Sequence, residues 1–130
     1  MRRALSAAVL FAACAPAPDT GDTWEPGAYA PIIVSVDRVA CANDATLGDV
    51  WELALTVDDP QGAATVADGV VSVQDGAGGE LGRYPLTCAG GSCTGGFRAD
   101  YDGIGCAHAG PLVFQVADDA GHVSATRTHP

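Results

Sequence analysis

Between residues 31 and 128 a period-two alternation of side chains recurs in short runs separated by turn residues. Trp51, Leu53, Leu55 and Val57 alternate with Val50, Glu52, Ala54 and Thr56. Leu112, Phe114 and Val116 alternate with Val113, Gln115 and Ala117, and Ile32, Val34 and Val36 alternate with Ile33, Ser35 and Asp37. Such a period puts one face of an extended strand on a core and the other on solvent. No stretch of ten or more residues keeps a helical period free of Gly or Pro. The same region holds 15 Val and Ile against 6 Leu, a bias that suits pleated strands and costs rotamer freedom in helices.

Seven strands are expected, at about 32–39, 50–57, 65–74, 80–87, 93–99, 111–117 and 122–128. Between them lie Asn43-Asp44, Asp58-Asp59-Pro60-Gln61-Gly62, Asp75-Gly76-Ala77-Gly78-Gly79, Ala89-Gly90-Gly91-Ser92, Asp102-Gly103 and Asp118-Asp119-Ala120-Gly121. These residues set turn dihedrals or cap their own backbone. Seven short strands in about 100 residues imply an all-β sandwich with Greek-key connections, with a small open barrel as the alternative.

The start of the chain is of another kind. Arg2 and Arg3 precede Ala4–Ala13, an apolar run broken only by Ser6 and too short to span a bilayer as a helix. It ends in Phe11-Ala12-Ala13-Cys14, which resembles the lipobox of bacterial lipoproteins, with Phe11 where the family prefers Leu. The resemblance covers about the first fifteen residues. It implies a signal peptide over 1–13 and lipidation of Cys14, and hence membrane attachment at the cell envelope. In well-studied lipoproteins an Asp after the Cys favours inner-membrane retention, so Ala15 points to the outer membrane of a Gram-negative cell. An ordinary secretory signal is the competing reading. Residues 15–30 are rich in Pro, Gly, Asp and Thr and read as a disordered tether, so that 14–30 is the lipidated Cys and tether and 31–130 the domain.

Composition narrows the function. The chain has 6 Arg, no Lys and 16 Asp and Glu. Because Arg2 and Arg3 precede Cys14 and all the acids follow it, removal of the leader changes the formal charge from −10 to −12. That balance excludes nucleic acid held by phosphate neutralisation. It also repels the domain from an anionic membrane surface. Arg38, Arg83, Arg98 and Arg127 are too scattered for an anion patch and are expected to pair with nearby acids.

The strand spacing, Trp51 on the second strand and the closing Val-Ala-Asp-Asp-Ala-Gly-His-Val-Ser hairpin resemble bacterial immunoglobulin-like domains over residues 31–128. That resemblance implies a non-catalytic interaction or structural module, with an unidentified protein or glycan partner. In such a sandwich alternate loops lie at opposite ends. Cys41, after the first strand, and Cys106, before the sixth, then share one end, while Cys88 and Cys93 flank a loop at the other. Pairs Cys41–Cys106 and Cys88–Cys93 follow, because a bridge needs Cα atoms within about 7 Å. They leave Cys14 as the odd cysteine of five. A zinc site from Cys88, Cys93, Cys106 and His108 is the competing arrangement.

The loops carrying Asp58 and Asp59, and Asp118 and Asp119, would lie at one end, where paired carboxylates could hold Ca²⁺; a Ca²⁺- or carbohydrate-binding module using this end is the alternative function, and an envelope enzyme a further one. Turn capping is the competing use of the same side chains. No other cofactor is expected. His108, His122 and His129 have no catalytic motif around them, and no Gly-x-Ser-x-Gly elbow, His-Glu-x-x-His pair or phosphate loop occurs.

Overall fold

The computed structural model of the chain describes residues 29–99 and 104–130. The expected signal peptide (1–13), Cys14 and residues 15–28 of the expected tether, Trp24 included, lie outside the described residues. Seven strands form: β1 (Ile32–Asp44), β2 (Gly48–Asp58), β3 (Val66–Gln74), β4 (Glu80–Ala89), β5 (Ser92–Arg98), β6 (Leu112–Asp118) and β7 (Arg127–His129). All pair antiparallel in the order β1-β2-β5-β4-β3-β6-β7. This is the strand order of an immunoglobulin-like sandwich, with β1, β2, β5 and β4 in one layer and β3, β6 and β7 in the other. Pairing of β3 with β4 makes the two layers one continuous, nearly closed sheet. Across the remaining gap the Arg127 guanidinium donates from Nη1 to the carbonyls of Ile33 (3.1 Å) and Val34 (3.3 Å), tying edge β7 to edge β1.

Alternation places the core. Trp51, Leu53, Leu55 and Val57 of β2 and Leu112, Phe114 and Val116 of β6 all point inward, meeting Val71 and Val73 of β3 and Cys93 and Phe97 of β5. The ring of Phe97 lies between those of Tyr84 (centroids 4.2 Å apart) and Trp51 (5.6 Å), both stacked. Close backbone approach requires glycine at two points. A Cβ on Gly96 would lie 2.5 Å from the Trp51 carbonyl oxygen, and one on Gly110 would lie 2.0 Å from that of Gln74.

Three differences from the sequence expectation have identifiable causes. β1 runs five residues beyond the expected end, because its ladder with β2 continues to a turn whose Thr46 and Leu47 N–H groups are both accepted by Asp44 Oδ1. Within β1, register shifts between Ile33 and Ser35 and between Val36 and Arg38 break the alternation, so Ile33 is buried while Ile32 and Val34 face solvent. β7 is only three residues long. Before it Ser124 keeps half of a ladder pair, its N–H donating to Val116 O (2.9 Å), but its Oγ takes the Val116 N–H (3.0 Å) in place of its carbonyl, which accepts from Gln115 Nε2. Of the arginines, Arg38 pairs with Glu52 and Arg83 with Glu80, each at 2.9 Å and exposed, so solvent screens both pairs. Arg127 takes backbone carbonyls instead.

Candidate functional site

Strand direction sorts the chemically able residues into two ends. The first holds the start of β1, the β2–β3 loop, the β4–β5 turn and the β6–β7 loop. It is one knit structure. Val57 N–H donates to Gly91 O, Asp119 N–H to Thr65 O, and the Cys88–Cys93 bridge closes the β4–β5 hairpin with Cα atoms 4.0 Å apart. The chain enters here: Tyr29 lies with its ring 6.2 Å from that of His122, followed by buried Ala30 and Pro31.

Asp58, Asp59, Asp118 and Asp119 all fall at this end, as the topology requires, but they do not converge. Asp118 is turned inward, its side chain 1% exposed. Its Oδ1 accepts from the N–H groups of Ala120 (3.0 Å) and His122 (2.8 Å), and its Oδ2 lies 2.8 Å from His122 Nδ1. Asp58 Oδ1 accepts from Asp59 N–H, and Asp59 Oδ1 from Gln61 N–H. Buried Asp59 Oδ2 has no partner among the described residues. The only set of three or more metal-capable side chains that converges among the described residues lies at the other end. Ca²⁺ takes six to eight oxygens, whereas both Asp118 oxygens and one oxygen each of Asp58 and Asp59 are engaged in their own turns. Millimolar Ca²⁺ should therefore leave the melting temperature unchanged; an upward shift in a calorimetric titration would show that the loops rearrange to bind it.

Burial pushes the Asp118 carboxyl upward, but the His122 ring and the His122 and Ala120 N–H groups outweigh that and hold it below its ordinary value. Side-chain donors Ser35 and Thr56 lower Asp37, and Ser72 and Arg83 lower Glu80. Backbone donors at Leu47 and Thr46 lower Asp44, and those at Gly79 and Ala77 lower Asp75. A carboxyl depressed in the folded state adds stability above its unfolded pKa and loses it as pH falls through its folded pKa. Stability should thus be level above the ordinary carboxylate range and fall on acidification below it. In Asp118→Asn the urea midpoint should fall less steeply with acid, and an unchanged slope would show that Asp118 does not contribute.

At the second end lie the β1–β2 turn, the β3–β4 turn and the β5–β6 connection. Cys41 and Cys106 are bridged there, Cα atoms 5.4 Å apart. Cys41 sits within β1, opposite Trp51, rather than after the strand. Asp49 lies beside the bridge: its Oδ2 accepts from Cys106 N–H (2.8 Å) and its Oδ1 from Asn43 Nδ2 (2.9 Å). These two donors, Asn43 foremost, hold its carboxyl below the ordinary value. Trp51 Nε1 donates to Ile104 O (2.8 Å), and the His108 ring stands edge-on to Trp51 at 6.5 Å. The alternative set Cys88, Cys93, Cys106 and His108 is not brought together, since its first two members close a hairpin at the first end.

Sequence reasoning singled out neither Asp49 nor the Asp118–His122 pair. The latter has a visible i, i+4 spacing, but Asp49 reaches Cys106 across 57 positions, with no local signal. On the outer face of β3 and β6, an open hollow of about 140 Å³ is lined by Asp68, Val70, Gln115, Ala117 and Val123. It is below the roughly 300 Å³ at which small-molecule pockets begin. Comparison of the chain with protein-family models, curated proteins and solved structures gives no match.

Proposed function

We propose that this chain is a lipid-anchored cell-envelope protein whose immunoglobulin-like domain acts as a non-catalytic interaction or structural module. The observation that carries this reading is the cysteine pairing. Cys41–Cys106 and Cys88–Cys93 use four of the five cysteines and leave Cys14, at the end of the leader-like apolar run. Paired structural cysteines belong to an oxidising compartment. An odd cysteine in an exported chain needs a separate use, and acylation supplies one. Outer-membrane placement follows from Ala15 on the same reading.

The entry of the chain beside His122 supports an orientation. The Asp-rich end is then the one tied to the membrane, and the Cys41–Cys106 end points outward to a protein partner or glycan. The acidity of the domain works in the same direction, because like charge keeps it off an anionic surface. In cells, the wild type should fractionate with membranes and Cys14→Ser with the soluble envelope contents. Equal membrane fractions for the two would overturn the anchor.

A further inference from the structure

The Cys41–Cys106 bridge carries a third group that its structural role does not use. The Asp49 carboxylate and the two sulfurs all lie within 4.8 Å of one another. We infer that, once its bridge is reduced, this cluster is a three-ligand site for a thiophilic divalent cation, Zn²⁺ foremost. The inference rests on these side chains alone and is independent of the lipid-anchor reading.

Three features hold the ligands in place without the S–S bond. Cys41 is fixed in the β1–β2 ladder, opposite Trp51. Cys106 is fixed through its backbone, its N–H donating to Asp49 Oδ2, and the carbonyl of Ile104, two residues earlier, accepts from Trp51 Nε1. Asp49 is fixed by Asn43 as well, and it occupies space that glycine leaves open: a Cβ on Gly105 would lie 2.9 Å from Asp49 Oδ2. In a tetrahedral zinc site with Zn–S near 2.3 Å, two thiolates stand about 3.8 Å apart. Cα atoms 5.4 Å apart accommodate that separation by side-chain rotation. Cys106 is exposed, and Cys41 and Asp49 are half-buried, so an ion can enter from solvent and keep a water as its fourth ligand.

The chemistry balances with a dithiol donor. Its thiolate attacks the sulfur of Cys106, an exposed residue, breaking the bridge and releasing Cys41, which takes up the proton that the donor thiol lost. The donor's second thiol then displaces Cys106 and leaves as the donor disulfide. Two electrons pass to the protein, and the two cysteine thiols give up their protons to solvent when the cation binds. Two thiolates and a carboxylate bring three negative charges to one point, which a dication largely neutralises. The ion would restore the cross-link between β1 and the β5–β6 connection that reduction removes.

Cobalt(II) titration of the full chain in detergent tests this, with thiolate-to-cobalt charge transfer as the readout. Cys88→Ala/Cys93→Ala serves as the background, and a phosphine reduces the remaining bridge, its phosphorus taking the oxygen of water. One cobalt per chain is expected after reduction and none before. Cys41→Ala should abolish the band, and Asp49→Asn should weaken binding roughly tenfold or more. The same metal should raise the melting temperature of the reduced chain. If the background variant is unfolded, the comparison is made in the reduced wild type, where Cys41→Ala should remove one bound cobalt. No uptake after reduction, or uptake indifferent to Cys41→Ala or to Asp49→Asn, would overturn the site.

Discussion

Replacing the Cys41–Cys106 bridge, as Cys41→Ala/Cys106→Ala, should lower the free energy of unfolding by about 4 kcal/mol. The bridge closes a loop over a sequence separation of 65, and in the chain-entropy model a loop of that size removes about 4.4 kcal/mol of freedom from the unfolded state. Cys88–Cys93 spans a separation of 5, for which the same model gives about 2.2 kcal/mol. Urea unfolding without reductant should therefore rank the two double variants in that order. The slope of the unfolding line should rise for the first variant, since an uncrosslinked chain exposes more surface. Equal losses for the two would show that strain or packing, not loop closure, sets their value. Cys93 is fully buried, so part of the second loss is a packing defect; Cys88→Ala alone, leaving a free Cys93, separates the two.

Trp51→Ala should cost about 3–5 kcal/mol, the range for truncating a buried aromatic. Trp51 is 7% exposed, stacks on Phe97 and satisfies the carbonyl of Ile104. Trp51→Phe keeps much of the packing and loses the indole donor. It should cost about 1–3 kcal/mol, the penalty for leaving a buried carbonyl unpaired plus lost volume. The tryptophan and the long bridge should be coupled: Trp51 faces Cys41 across the ladder and holds Ile104 near Cys106. The triple variant should thus lose less than the sum of Trp51→Ala and the cysteine pair, by more than about 0.5 kcal/mol. Strict additivity, measured by urea unfolding of all three, would show that the two anchors act separately.

Features set by local chemistry were readable in the sequence. The inward sets Trp51, Leu53, Leu55, Val57 and Leu112, Phe114, Val116 follow from period two, and both bridges follow from loop parity once the strand order is granted. Features set by long-range contact were not. The shifts in β1 that turn Ile32 and Val34 outward leave no mark in the alternation. Ser124 reads as an ordinary strand residue, yet its hydroxyl and not its carbonyl takes the Val116 N–H. Asp118 and Asp119 look equivalent in sequence. Only the fold turns Asp118 inward to His122. Asp49 becomes notable only because residues 57 positions apart meet at Cys106.

The domain's two ends give it a polarity that its function would use. The chain enters at the Asp-rich end, and the Cys41–Cys106 end, with its half-buried Asp49, stands opposite. The proposed orientation depends on lipid attachment at Cys14. The most direct test is the intact mass of the chain extracted from cell membranes. The mature chain is expected to begin at Cys14, lack residues 1–13 and carry acyl mass on that residue, with four cysteines oxidised in two bridges. A mature chain that starts at another residue, or one in which Cys14 carries no lipid, would contradict it.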